Sequence, residues 1–258
     1  MRALDQDYPI LRVGSLAKSY GDRKVLHDVD FSLHRGEVVA FLGANGSGKS
    51  TTLKCVMGLE TPDSGSVRLH GRDLQTLSGR SLRIARRPIA MVFQKIHLVP
   101  RRTALENVCA GALGRLSGSA SVSPLFFGRE LQEEAMAALQ RVGMADRAHE
   151  LAGRLSGGQA QRVAVARALC QRAEVLLADE PVSALDPAAA EEVMILLHDL
   201  AHEENLAVAA VLHQPDLALR YADRAIGLLN GRIEYSGPVQ GLTNGLRERL
   251  YSAKAVAA

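Results

Sequence analysis

Three apolar runs, Val38–Leu42, Val175–Ala178 and Ala207–Leu212, have the length of a strand and no polar interruption. A strand reads this way when both of its faces are covered, so the three predict a parallel sheet buried between layers. Val25–Leu33 alternates in part, with Val25, Val29, Phe31 and Leu33 facing one way. Shorter β-like runs fall at Ser66–Leu69, Ile89–Phe93, Ala225–Leu228 and Arg232–Tyr235. Between the strands the period changes. Apolar spacing near 3.6 predicts helices over Leu105–Leu113 and Glu130–Val142. Further helices are expected over Lys49–Met57 (closed by Gly58), Gln159–Cys170 and Ala188–His202, followed by a helical tail. Leu116–Pro124 is rich in Ser and Gly and reads as a surface loop. The simplest architecture is a single α/β domain without internal repeats. Its doubly wound core takes residues 1–94 and 156–258, and a helical subdomain over 95–155 interrupts it.

Composition narrows the picture only a little. The 258 residues suffice for one large α/β domain, and 47% apolar with 23% charged residues argues against extended disorder. A net charge of +3 is too small to point to nucleic acid, and none is expected as a partner. The one dense basic run, Arg80, Arg83, Arg86 and Arg87, reads first as a solvated helix face and second as a contact for a partner or lipid headgroup. Cys55, Cys109 and Cys170 are odd in number, far apart and without metal-ligand spacing, which suits neither a disulfide nor a zinc site. Met1–Ile10 has no apolar core of a secretory signal, and the longest apolar stretch, Leu206–Leu212, falls short of the ~20 residues of a membrane span. The expectation is a soluble chain that does not cross a bilayer by itself.

Candidate chemistry begins at Gly43-Ala44-Asn45-Gly46-Ser47-Gly48-Lys49-Ser50, which fits G-x-x-x-x-G-K-[ST] between a predicted strand and a predicted helix. Its glycines let the backbone curl until successive N–H groups face phosphate oxygens, and the helix N-terminus adds partial positive charge. Lys49 supplies a point charge for the outer phosphates, and the Ser50 hydroxyl can ligate Mg²⁺. The apolar run Val175–Ala178 then delivers Asp179 and Glu180 to a strand end, where ligands bind in open α/β sheets. Beside a phosphate loop, Asp179 is a candidate metal ligand and Glu180 a candidate for polarising water; alone, the pair would read as a cap before Pro181. Leu155-Ser156-Gly157-Gly158-Gln159 opens a further helix and forms a second anion-ready N-terminus, although such a loop is by itself an ordinary capped turn.

Taken together and in this order, the loop Gly43–Ser50, the segment Leu155–Gln159 and the pair Asp179–Glu180 resemble the ABC ATPase family. Tyr20, Gln94, Ser183-Ala184-Leu185-Asp186 and His213 match in sequence order, and the resemblance runs from about Ile10 to Gly237. It implies a P-loop NTPase core of the ABC ATPase type, with an N-terminal antiparallel β portion and a helical insertion subdomain. It implies ATP and Mg²⁺ as ligands. Tyr20 would stack on adenine, and Gly43, Asn45, Gly46, Ser47, Gly48, Lys49, Ser50 and Thr51 would surround the phosphates. Ser50, Asp179 and Gln94 would hold the metal, while Glu180, Gln94 and His213 would form the catalytic set. Ser156, Gly157, Gly158 and Gln159 would contact ATP held by a second copy of the chain, with Asp186 at the subunit junction.

A finer resemblance points to the ATPase subunits of phosphonate and phosphite importers. It is carried by His97–Val108, Pro124-Leu125-Phe126, His213–Ala218 and Arg220-Tyr221-Ala222-Asp223, whereas Ala160 and Val182-Ser183-Ala184 depart from that group. This resemblance implies an ATP-dependent dimer peripheral to the cytoplasmic face of the inner membrane. Transmembrane permease subunits would be its direct partners, and an extracytoplasmic substrate-binding protein an indirect one. Other readings stay open here: an ATPase subunit for another substrate or an exporter, a soluble ABC-type ATPase of translation or DNA repair, and a clamp that binds ATP without hydrolysis. The single motif set and the absence of a coiled-coil repeat speak against the second, and Glu180 with His213 against the third.

Overall fold

The computed structural model describes residues 8–116 and 127–252. Most of the predicted loop Leu116–Pro124, the stretch Pro124-Leu125-Phe126 and most of Met1–Ile10 lie outside the described residues. The chain begins with β1 (Leu11–Tyr20), β2 (Arg23–Leu33), β3 (Val38–Leu42), α1 (Lys49–Met57), β4 (Ser64–Leu69) and β5 (Arg72–Asp73). It continues through α2 (Gly79–Ala85), β6 (Ile89–Val92), α3 (Ala104–Cys109), α4 (Arg129–Arg141), α5 (Gly157–Cys170) and β7 (Val175–Asp179). It closes with α6 (Pro187–Glu204), β8 (Ala207–Val211), α7 (Pro215–Tyr221), β9 (Arg224–Leu229), β10 (Arg232–Pro238) and α8 (Asn244–Ser252).

Two sheets result. A six-stranded sheet runs β10-β9-β3-β8-β7-β6, parallel throughout except for β10 at one edge. A four-stranded antiparallel sheet runs β2-β1-β4-β5. The unbroken apolar runs are explained by what lies on either side. Val38, Ala40, Leu42, Leu176, Ala178, Val208 and Ala210 face a core shared with α3 to α7. Their neighbours Val39, Phe41, Val175, Leu177, Ala207 and Ala209 face a second core shared with α1 and the antiparallel sheet. Each strand thus feeds two cores by simple alternation. A fully buried leucine such as Leu53 or Leu176 contributes about 1.5–3 kcal/mol to this arrangement.

Some expectations shift. β2 does not keep one phase: Asp28 adopts a left-handed φ of 58°, the pairing with β1 slips there, and Leu26 rather than Val25 is fully buried. The helix expected over Leu105–Leu113 ends at Cys109 and tightens into a 3₁₀ turn over Ala110–Gly114. A Cβ on Gly111 would lie 2.1 Å from the Arg167 carbonyl oxygen, so α5 sets how closely that turn can pass. Strand β1 and helix α7 were not foreseen, whereas the helix expected at the basic run is α2. Helix α2 buries no residue, and Arg80 and Arg83 do form a solvated face. Arg86 and Arg87 do not: they lie beyond the helix, half-buried, each with a shielded Nε, and the Arg86 guanidinium lies against Gly58. The three cysteines are buried single thiols, which burial pushes up to about 11 for Cys55 and Cys170 and about 12 for Cys109, so they behave as small apolar residues. Among the described residues no helix is long and apolar enough to cross a membrane.

Candidate active site

The site forms where neighbouring parallel strands end. β3 leads into the loop Gly43–Gly48, β8 into His213, β7 into Asp179 and Glu180, and β6 into Gln94, so chemistry from four distant stretches meets at one sheet edge. The loop needs its glycines. Gly43 has φ 142°, and a Cβ there would lie 2.2 Å from the backbone oxygen of Leu228; at Gly48, φ is 105° and a Cβ would meet Leu26 at 2.6 Å.

The backbone N–H groups of Asn45, Gly46, Gly48 and Lys49 have no acceptor among the described residues, as an anion-binding turn requires. The Lys49 ammonium is buried and donates to the carbonyl oxygens of Gly43 and Ala44 at 2.8 and 2.9 Å. Burial lowers its pKa, and the nearby charges of Glu180 and Asp179 work against that shift. The Ser50 hydroxyl donates to Asp179 Oδ1 at 2.7 Å, which puts a hydroxyl and a buried carboxylate side by side.

Glu180 is the hub. Its Oε2 accepts from Gln94 Nε2 at 2.8 Å, and its Oε1 lies 2.6 Å from His213 Nε2. Its own φ of 54° is the left-handed region, unusual for a long side chain and a source of local backbone strain. Tyr20 lies at the end of β1 and is 45% exposed, with the Lys18 ammonium 5.0 Å from its ring centroid. Burial, followed by the Glu60 charge, raises the pKa of its hydroxyl.

These groups line one cleft of about 720 Å³, with Tyr20 and Thr51 along it and Lys49, Ser50, Gln94, Glu180 and His213 around the loop. Asp179 reaches it through Ser50. Gly43 serves the backbone, and Ser47 lies in an adjoining cleft of about 240 Å³ with its buried hydroxyl unpartnered among the described residues. Arg23 and Val25 also line the main cleft and were missed. Their signal is the tight turn after Tyr20, which pairs Tyr20 with Arg23 across the hairpin.

Ser156, Gly157, Gly158 and Gln159 do not line this cleft. They form the N-terminus of α5, where Ser156 and Gln159 cap each other, the Gln159 N–H donating to Ser156 Oγ and the Ser156 N–H to Gln159 Oε1 at 2.9 Å. The N–H groups of Gly157 and Gly158 have no acceptor among the described residues. A Cβ on Gly157 would touch Leu185, and one on Gly158 would touch Ala189. Asp186, the cap of α6 through the Ala189 N–H at 3.0 Å, is therefore their neighbour. Ser156, Gly157 and Asp186 are exposed. One chain thus carries two anion-ready faces that its own fold keeps apart.

Residues 26–183 match the family model described as ABC transporter. The phosphonates import ATP-binding protein PhnC of Frankia casuarinae is 48% identical over 86% of this chain and 88% of its own length. The protein of the same name from Stutzerimonas stutzeri is 44% identical over 94% and 90%. Among solved structures, the chain resembles a dimeric ATP-binding cassette in a post-hydrolysis state bound to ADP and Pi, at 33% identity and a TM-score of 0.77, covering 90% of this chain and 99% of that one. It also resembles cbiO1 from Clostridium perfringens, part of the ABC transporter complex cbiONQ, at 29% identity and a TM-score of 0.79, covering 91% and 90%.

Proposed function

Because the chain belongs to the ABC transporter family and carries its ATPase cassette, we propose that it hydrolyses ATP to drive import of a phosphonate- or phosphite-type oxyanion through a separate membrane permease. The observation that carries the catalytic part is the Glu180 carboxylate, held between Gln94 and His213 beside a loop of unpartnered N–H groups. The adenine would lie on Tyr20. The N–H groups of Asn45 to Lys49 and the Lys49 ammonium would take the β- and γ-phosphates and stabilise the charge that develops during transfer. Glu180 would accept a proton from the attacking water, Gln94 would orient that water, and His213 would donate to the γ-phosphate.

The donor set suits Mg²⁺. Ser50 and Asp179 offer hard oxygens 2.7 Å apart, and Gln94 lies at the same sheet edge. Among the described residues no group of three His, Cys, Asp or Glu could form an all-protein cage, and Mg²⁺ prefers few protein ligands plus phosphate and water. When bound it would neutralise phosphate charge and help set the in-line geometry.

The exposed N-terminus of α5, with Ser156 to Gln159, would close over ATP held by a second copy, and Asp186 would lie at that junction. The helical subdomain over 95–155 would carry the docking surface for the permease. A groove of about 470 Å³ between α2 and the turn after α3, lined by Leu59, Leu82, Arg83, Arg87 and Gly114, supports this placement. Arg102 is committed to Glu106 at 2.9 Å, which leaves the exposed Arg101 as the better contact for a permease loop. The dimer would then work peripherally at the cytoplasmic face of the inner membrane, with a substrate-binding protein feeding the permease outside.

The cargo reading draws on the names of the relatives, since the transported solute does not enter the ATP cleft. Proteoliposomes containing this chain and the permease that co-purifies with it test the proposal. ATP-dependent uptake of methylphosphonate or phosphite is the expected result. ATP hydrolysis coupled only to an unrelated solute would overturn the cargo, and absence of hydrolysis would overturn the whole reading.

A further inference from the structure

The Lys18 side chain is only 15% exposed, and its ammonium is aimed by a single strong bond. Nζ donates to the Thr61 carbonyl oxygen at 2.8 Å. Asp63 is the one carboxylate within ion-pair range among the described residues, and it stands off at 3.9 Å with its own side chain 46% exposed. Such a loose, solvated pair cancels little of the charge. From this anchored position Nζ lies over the Tyr20 ring, 5.0 Å from its centroid. Tyr20 lines the cleft and Lys18 does not, so the ammonium reaches the ring from outside the space that a base would occupy.

The backbone here is fixed without the ammonium. The Ala17 carbonyl accepts from the Asp63 N–H at 2.8 Å, and Ala17 pairs with Ser64 on β4. Lys18, Ser19 and Tyr20 pair with Leu26, Lys24 and Arg23 on β2. The bond to Thr61 therefore joins nothing that is otherwise loose; what it determines is where the charge sits. The group that charge acts on is the ring, at an exposed strand end. The face of an aromatic ring is negative, and two such faces repel when stacked squarely. A cation held against one ring draws its π density and weakens that repulsion.

We propose that Lys18 is a positioning residue for the nucleotide base, holding the Tyr20 ring and polarising it so that it stacks more tightly on adenine. This rests on reading the cleft as the ATP site with Tyr20 under the base. The contribution is selective. It acts on nucleotides and not on a bare triphosphate, and it acts on KM rather than kcat, because the base is held alike before and during phosphoryl transfer.

The experiment uses the full chain with Lys18→Met, which keeps an apolar stem and removes the charge. Isothermal titration with ATP and with inorganic tripolyphosphate, both with Mg²⁺, is compared with the wild type, alongside steady-state ATPase kinetics. ATP affinity should fall about fivefold and KM rise in proportion. Tripolyphosphate affinity and kcat should each stay within about twofold of wild type. In a Tyr20→Ala background, Lys18→Met should alter ATP affinity by less than about twofold, since the ring it acts on is gone. Unchanged ATP affinity, equal losses for ATP and tripolyphosphate, or the same loss with and without the Tyr20 ring would each overturn the proposal. If Lys18→Met lowers the thermal midpoint by more than about 5 °C, Lys18→Gln takes its place under the same criteria. Tyr20→Ala alone separates the two readings. Wild-type ATP affinity in that variant would withdraw Tyr20 as the base platform, whereas weakened Tyr20→Ala with unimpaired Lys18→Met removes the role of Lys18 alone.

Discussion

Replacing Glu180 with Gln keeps the shape of the side chain and the left-handed backbone, because both residues meet the same Cβ constraint at φ 54°. What changes is charge. The 2.8 Å bond from Gln94 can persist to the amide oxygen, while the 2.6 Å contact with His213 must be rebuilt with the amide nitrogen as donor and the imidazole as acceptor. Exchanging a charge-assisted hydrogen bond for a neutral one costs about 1 kcal/mol, or roughly 2–4 °C in the melting midpoint of a chain of this size. The barrier responds far more. A positioned general base contributes 10²–10⁴-fold, so its loss should raise the barrier by roughly 3–5 kcal/mol. Binding should move the other way. One negative charge leaves a cleft proposed to receive a triphosphate, so ATP affinity should hold or rise. Isothermal titration with ATP and Mg²⁺, single-turnover hydrolysis and size exclusion read the three quantities separately. The expected outcome is intact binding, a stable ATP-bound dimer and turnover reduced at least a hundredfold. Turnover within about tenfold of wild type would refute the base assignment.

A mixed dimer of one chain with Glu180→Gln and one with Ser156→Arg should retain one intact composite site. ATP-dependent closure with residual hydrolysis is expected, and the absence of both hydrolysis and nucleotide occlusion would show that each chain completes its own site. A second expectation concerns pH. His202 on α6 donates through Nδ1 to the His198 carbonyl oxygen at 2.8 Å and contacts Asp223 through Nε2 at 3.1 Å. The bond to the His198 carbonyl, more than the Asp223 charge, raises its pKa above the usual histidine value. A raised pKa means stability that is fully present below about pH 6.5 and lost as pH rises through the folded value. Thermal midpoints measured from pH 6 to 8 should fall for the wild type by more than for His202→Gln, and parallel curves would refute the linkage.

Much of the site was legible because its chemistry is local. A phosphate loop is a strand, a glycine-rich turn and a helix start in succession, and nothing distant is needed to recognise Gly43–Ser50. The residues missed are those whose role depends on contacts across the fold. Arg23 and Val25 reach the cleft only because β2 folds back beside Tyr20. Arg86, which reads as part of a solvated helix face, is half-buried because the chain turns against Gly58. Helix α7 went unseen because it is short and opens on Pro215, where a turn is equally compatible with the local sequence.

The sequence by itself determined the alternation of buried strands and helices, the glycine-rich loop proposed to bind phosphate and the carboxylate pair that follows an apolar strand. Each of these depends on backbone freedom or side-chain period within a few consecutive residues. Only the tertiary structure decided that the strand order β3-β8-β7-β6 would align Lys49, His213, Glu180 and Gln94 along one edge. It also decided that Ser156–Gln159 would lie outside that cleft, and that the last helix would return to the glycine-rich loop, where the Leu250 carbonyl accepts from the Ala44 N–H. Such relations link residues tens to hundreds of positions apart, and they are fixed by which faces two packed cores leave uncovered rather than by any preference of the residues themselves.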